Sequence, residues 1–267
     1  MAIQVTKISD YIYEFNEPMQ LPDGGSYPFV DAYLYLGSER AVLIDTLQDE
    51  IGLYQAVREV TDLPLDVLIT HGHLDHAGKS TPEFVDAGCR IYMDMKDFAL
   101  LQSMVPESDP AWFTDLPDGK EFNLGDRRLQ TISCGGHTPG SVVFFDPENL
   151  VMFSGDTFGS GAFWMQIMGC LPMEVFEKNA RSVLDRLEPF GLDRILVYPG
   201  HRIQSPVQLT GTYLHDCWHI AAGILDGSII GNENVTTFLE QQFPCREVAY
   251  GRMLAFSYDP ERLHVAG

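Results

Sequence analysis

The stretch 70-THGHLDHAGKS-80 packs three histidines and one aspartate into six consecutive residues, 71-HGHLDH-76. Imidazole and carboxylate together suit zinc and its first-row neighbours, and ligation requires deprotonated donors that converge. Residues two apart in extended backbone share a face, so the spacing predicts that His71 and His73 reach one ion. Asp75 and His76 follow where the chain bends toward a helix, in position to serve a second ion beside the first. Gly72 predicts a tight bend between the ligands.

One motif cannot complete two coordination shells, so further donors are expected at other strand ends. Three candidates have the same context. His137 in 135-GGHTPGS-141 follows the apolar strand 129-LQTISC-134. Asp156 in 154-SGDT-157 follows 150-LVMFSG-155, and His201 in 199-PGH-201 follows 193-DRILVYP-199. Each sits beside Gly or Pro at the carboxyl end of a strand, where α/β folds place their sites. Five of the eight histidines of the chain fall in these motifs, which makes random scatter a poor explanation.

The first 50 residues read as a meander of strands at 3–8, 11–15, 31–37 and 41–46, with a Pro- and Gly-rich loop or hairpin tip at 18–28. A helix is predicted over 49–61, then the buried strand 65-LDVLIT-70. Helices over 82–88 and 95–104 flank a strand at 90–94, and 105–120 reads as a long surface loop. Further helices are expected at about 173–187 and 208–225. The tail from 232 reads as a helix followed by short strands. The strands fall into two groups, within 1–155 and 129–260, each with helices on one side. That predicts two sheets packed face to face with helices outside. A single domain over 1–267 is expected, with about 205–267 completing or extending it.

The formal net charge of −21 disfavours nucleic acid and anionic membrane surfaces as partners. No apolar run reaches the roughly 18 residues of a membrane span. The N-terminus 1-MAIQVTKISD-10 lacks the pattern of a signal peptide, so a cytoplasmic location is expected. The five cysteines are scattered without C-x-x-C and read as reduced thiols. The pair in 215-HDCWH-219 has i, i+4 spacing but no evident third ligand, and reads as helix-surface histidines.

The series H-x-H-x-D-H, G-H-T-P-G-S, S-G-D-T and P-G-H, in this order over roughly residues 25–205, resembles the metallo-β-lactamase-fold superfamily, most of all its glyoxalase II-like hydrolase branch. The resemblance implies a four-layer αββα sandwich. It implies that His71, His73 and His137 hold one metal, that Asp75, His76 and His201 hold a second, and that Asp156 bridges them. Two divalent ions are implied, zinc first, with iron or manganese as alternatives. The chemistry expected is hydrolysis of an ester, thioester, lactone or related acyl bond by a metal-bridging hydroxide, with Asp75 orienting the nucleophile and taking its proton. Hydroxyacylglutathione hydrolases continue the bridging-aspartate motif into a Gly-Cys-Gly-Arg-like stretch, where this chain has 159-GSGAFWMQ-166.

Substrate contacts are expected from the loop 157–170, with Phe158 and Trp164, and from the early loop 18–28 with Tyr27 and Phe29 beside it. Tyr198 is placed to donate a hydrogen bond to an oxyanion. A small-molecule substrate is expected, and a homodimer is compatible with the sequence. Two further readings use the same scaffold: a mononuclear iron oxygenase resembling persulfide dioxygenases, and a phosphodiesterase or nuclease.

Overall fold

Short apolar runs become strands here, and the alternation within each strand decides which layer its side chains join. The computed structural model describes residues 3–20, 26–49, 51–205, 207–251 and 253–265. Strands β1 (Gln4–Lys7), β2 (Ile12–Gln20), β3 (Ser26–Leu36), β4 (Ala41–Ile44), β5 (Leu65–Leu68), β6 (Arg90–Met93) and β7 (Phe113–Asp115) form one sheet in that order. Pairing is antiparallel up to β4 and parallel from β4 to β7. The parallel crossovers carry helices α1 (Leu53–Val60), α2 (Thr81–Asp86) and α3 (Phe98–Met104).

The second sheet begins with β8 (Glu121–Asn123), β9 (Arg128–Ser133), β10 (Val142–Asp146) and β11 (Val151–Gly155). After β12 (Ala162–Met165) and α4 (Met173–Leu187), it is completed by β13 (Leu196–Pro199) and β14 (Leu209–Thr210). Its order is β14-β13-β11-β10-β9-β8, and only β11 and β13 are parallel. Helix α5 (Gly211–Asp226) follows.

Side-chain parity builds the layers. In β4, Val42 and Ile44 point between the sheets, while Ala41 and Leu43 join the outer core with Leu53, Val57 and Phe84 of the helices. In β10, Val142 and Phe144 point between the sheets, and Val143 and Phe145 face α4. Helix α4 buries Phe176, Ala180, Val183, Leu184 and Leu187, the i, i+3, i+4 stripe of an amphipathic helix. Both sheets are thus covered on their outer faces by helices, and the expected αββα sandwich is met.

Several expectations are corrected. The sheets divide between Asp115 and Glu121, and a third sheet exists, of order β12-β17-β16-β15, with β15 (Asn232–Phe238), β16 (Gln241–Tyr250) and β17 (Met253–Tyr258). The tail from 232 therefore opens with a strand, not a helix. Its residues 235-VTT-237 are β-branched and lose little in extended backbone. Within the proline-rich 18–28, residues 18–20 and 26–28 are strand, and a register shift between Glu17 and Pro18 falls where proline lacks the amide donor. The rest of that expected loop or hairpin tip, 21–25, lies outside the described residues. The surface loop 105–120 contains β7, an edge strand. No helix among the described residues is long and apolar enough to cross a membrane.

Candidate metal centre

The seven polar residues sit on loops leaving strands at one edge of the sandwich. The chain turns after β5 to carry His71, His73, Asp75 and His76, while His137, Asp156 and His201 follow β9, β11 and β13. The turn through 71–76 is not extended, so the two-residue spacing of His71 and His73 does not act as in a strand. Bends bring the rings together instead. Gly72 is needed for close approach: a Cβ there would lie 2.8 Å from both Cβ and the carbonyl oxygen of Asp97.

Hydrogen bonding fixes the histidine tautomers. His73 Nε2 lies 3.0 Å from the Met168 carbonyl, and His137 Nδ1 lies 2.9 Å from that of Trp164. A carbonyl only accepts, so these nitrogens carry the N–H. Their other ring nitrogens, His73 Nδ1 and His137 Nε2, then hold lone pairs and face each other at 3.0 Å. The Thr70 hydroxyl donates to Asp45 Oδ2 at 2.8 Å and accepts from His71 Nδ1 at 3.0 Å. His71 Nε2, 3.1 Å from His73 Nδ1, is therefore a third lone pair. Burial, above all, lowers the pKa of these imidazoles, that of His137 to about 3, and keeps them neutral. Three converging lone pairs with no proton among them suit a cation. Donors about 2.0–2.1 Å from tetrahedral zinc are about 3.3 Å apart, which matches these separations.

A second group adjoins the first. His201 Nε2 lies 3.3 Å from Asp75 Oδ2 and 3.2 Å from Asp156 Oδ2. His76 Nε2 lies 3.8 Å from Asp75 Oδ2 and 3.7 Å from Asp156 Oδ1. Asp156 Oδ2 is also 4.0 Å from His137 Nε2, so this carboxylate borders both groups. Burial opposes charge on Asp75, but His76 and His201 outweigh it and hold the carboxyl at about 2. Burial likewise opposes charge on His76, and the carboxylates of Asp75, Asp156 and Asp45 lift it to about 10. Two buried atoms, His76 Nε2 and Asp156 Oδ1, have no hydrogen-bond partner among the described residues. Orphaned donor atoms in a nest of imidazole and carboxylate fit a divalent ion. The donor atoms of His71/His73/His137, of His71/His76/Asp156 and of Asp75/His76/His201 each lie within 4.8 Å of one another. The exposed His215 and His219 are not part of any such group among the described residues.

Two supporting acids escape a reading of the motifs. Asp45 binds His76 Nδ1 at 2.8 Å and the Thr70 amide at 2.7 Å. Asp97 accepts from the Gly72 amide at 2.8 Å, the Gly140 amide at 2.6 Å and the Thr138 hydroxyl at 2.5 Å. It staples the His71–His76 turn to the loop of His137. Asp45 had a readable signal, since 41-AVLID-45 is an apolar strand ending in an acid, as 150-LVMFSGD-156 is. Asp97 had none.

A cavity of about 310 Å³ opens on the metal-facing atoms. Phe29, Phe163, Trp164 and Ile167 line it, so Trp164 stands where a substrate contact was expected. Phe158 and Tyr198 do not. Phe158 is fully buried and packs on Phe176, with ring centroids 5.8 Å apart. Tyr198 alternates with Val197 in β13 and so points between the sheets, 5.6 Å from the Phe153 ring.

The family described as Metallo-beta-lactamase superfamily matches residues 27–201. Hydroxyacylglutathione hydrolase GloC of Haemophilus influenzae is 29% identical over 177 residues, 61% of this chain and 80% of that protein. The probable metallo-hydrolase YqgX of Bacillus subtilis is 26% identical over 142 residues, 49% of this chain and 67% of that protein. The metallo-beta-lactamase FIM-1 from Pseudomonas aeruginosa, solved in a mono-zinc form, superimposes with a TM-score of 0.65 at 16% identity, covering 86% of this chain and 97% of that one.

Proposed function

Because this chain belongs to the metallo-beta-lactamase superfamily and is a metallo-hydrolase of that fold, we propose that it is a binuclear hydrolase of an ester, thioester or lactone of a small molecule. The observation that carries the reading is the pair of adjoining donor groups bordered by one carboxylate, Asp156. His71, His73 and His137 would hold one ion, Asp75, His76 and His201 the other, with Asp156 between them. Divalent ions there, zinc first on the donor set, would polarise an acyl carbonyl and lower the pKa of water from 15.7 to about 7.

The chain's own residues do the rest. Asp75 is buried and held ionised by its imidazole neighbours, and it would orient the attacking water and hold its proton in transit. The water oxygen adds to the acyl carbon, the bond to the leaving oxygen or sulfur breaks, and the leaving group takes the proton. Cys134, three residues before His137, does not compete as a nucleophile: it is fully buried, and burial pushes its thiol far up. The modest cavity of about 310 Å³ and the net charge of −21 support a small molecule as substrate over a polymer.

The test is elemental analysis per chain, paired with a panel of esters, thioesters and lactones. About two divalent ions and metal-dependent hydrolysis are expected. One iron per chain, with oxygen consumed and no hydrolysis, would overturn the reading.

A further inference from the structure

We propose that the tip of the β15–β16 hairpin is the specificity element of this pocket, and that it selects uncharged acyl substrates bearing an aliphatic chain or an aromatic ring. The inference rests on the hydrolase reading and goes beyond it by naming the substrate class.

The third sheet delivers the tip to the metals. Strand β12, which leaves the Asp156 loop, pairs with β17, then β16, then β15. Gln166 Nε2 donates to Thr236 Oγ1 at 2.7 Å and ties the end of β15 to the segment after β12. Thr237, Phe238 and Leu239 then reach the cavity. The Phe238 ring centroid lies 5.8 Å from that of His73 and 6.3 Å from that of Trp164, so Phe238 and Trp164 form one apolar wall beside a metal-facing imidazole.

The turn itself is unusual. Phe238 pairs with Gln241, leaving Leu239 and Glu240 as a two-residue turn, with φ of 49° and 62°. Both residues are left-handed, the geometry for which Asn-Gly is the favoured pair. An asparagine and a glycine would ease the backbone, yet a leucine stands there, 45% exposed, with its side chain on the cavity. Exposed apolar surface in strained backbone at a pocket rim fits a ligand contact better than it fits folding.

The charge of the lining points the same way. Among the described lining residues there is no lysine or arginine, and the acidic side chains are Asp75 and Asp156. An anionic acyl group would find no basic side chain there outside the candidate metal-binding set. At about 310 Å³ the cavity is at the small end of small-molecule sites.

The experiment uses the metal-loaded protein and p-nitrophenyl esters of acetate, butanoate, hexanoate and benzoate, with the succinate monoester as the anionic probe. The parent should gain in kcat/KM with chain length, up to about 4-fold per methylene, through KM more than kcat. Phe238→Ala should cut kcat/KM on the hexanoyl ester about 10-fold, and on the acetyl ester less than about 2-fold. The double variant L239N/E240G should flatten the chain-length response while raising the unfolding midpoint by about 2–4 °C, because the turn is relaxed. A merely structural hairpin would not separate these two readouts. A flat response in the parent, a preference for the succinyl ester, or a double variant that keeps the hexanoyl preference overturns the inference and leaves the hydrolase reading standing. No hydrolysis of any ester, thioester or lactone by protein holding two metals overturns both.

Discussion

Asp45 Oδ2 stands 2.8 Å from His76 Nδ1, while Asp45 Oδ1 accepts the Thr70 amide at 2.7 Å. One carboxylate thus orients the ring that ends the 71–76 motif and the backbone that leads into it. Asp45 holds this position with a φ of 64°, a conformation that asparagine also tolerates. Asp45→Asn should therefore fold. It presents an amide where a charged acceptor stood, so metal affinity of the Asp75/His76/His201 group should fall about 10- to 100-fold. Competition with a chromogenic chelator measures this, and an unchanged affinity would show that His76 is oriented by other means.

Asp75→Asn keeps the size of the side chain and removes its charge. The fold should persist, with an unaltered far-UV circular dichroism spectrum. Turnover should drop by about 100-fold or more, the usual contribution of a general base. Near-full activity would remove Asp75 from the proton-handling role.

Asp97 is buried and binds two loops at once, through the amides of Gly72 and Gly140. Asp97→Ala strands both amides, at about 1–3 kcal/mol each. Urea unfolding of the metal-free protein should show a loss of about 3 kcal/mol. A loss below about 0.5 kcal/mol would mean that water replaces the carboxylate.

Gly200 has no room for a side chain. A Cβ there would lie 2.4 Å from His76 Cε1 and 2.6 Å from Asp156 Oδ1. Gly200→Ala should displace both groups, so that metal content falls from about two ions per chain toward one. Full occupancy in this variant would place Asp156 outside the shared position.

Asp31 supplies a pH signature. Burial first, and then the neighbouring charge of Glu14, raise its pKa to about 7. An acid whose folded pKa exceeds its unfolded value of about 3.9 stabilises the fold while protonated. That contribution is complete below about pH 4 and is lost as pH rises through 7. Asp31→Asn removes this slope, so its stability relative to the parent should rise between pH 5 and pH 8 in urea titrations. A constant difference would mean that Asp31 is ionised throughout.

What the sequence made legible follows a physical division. The clustering of the seven candidate donors was readable because the motifs that carry them each follow an apolar strand, and those strand ends share an edge of the sandwich. Strand parity is a second legible signal. Val197 and Tyr198 alternate across β13, and that alternation places Tyr198 between the sheets and outside the cavity lining. The hairpin tip was unreadable for a different reason. Its turn is Leu239-Glu240, without the Asn, Asp or Gly that marks such turns, so nothing in 232–250 announced a two-residue loop. The staple at Asp97 depends on a contact between distant loops, and no local pattern encodes it.

Strand β3 grips the loop of His201 along its length. The Asp31 amide donates to the Gly200 carbonyl at 2.8 Å, and the Tyr33 hydroxyl donates to that of Pro199 at 2.8 Å. His201 Nδ1 donates to the Phe29 carbonyl at 2.7 Å, and the Arg202 amide donates to Asp31 Oδ2 at 2.8 Å. This clasp joins the two halves of the donor set, because His71, His73, Asp75 and His76 follow a strand of the first sheet and His137, Asp156 and His201 follow strands of the second. Neither sheet alone carries a complete centre. An ion held by the whole donor set would therefore bind tightly only after the halves have docked, and would act as a latch that slows their separation.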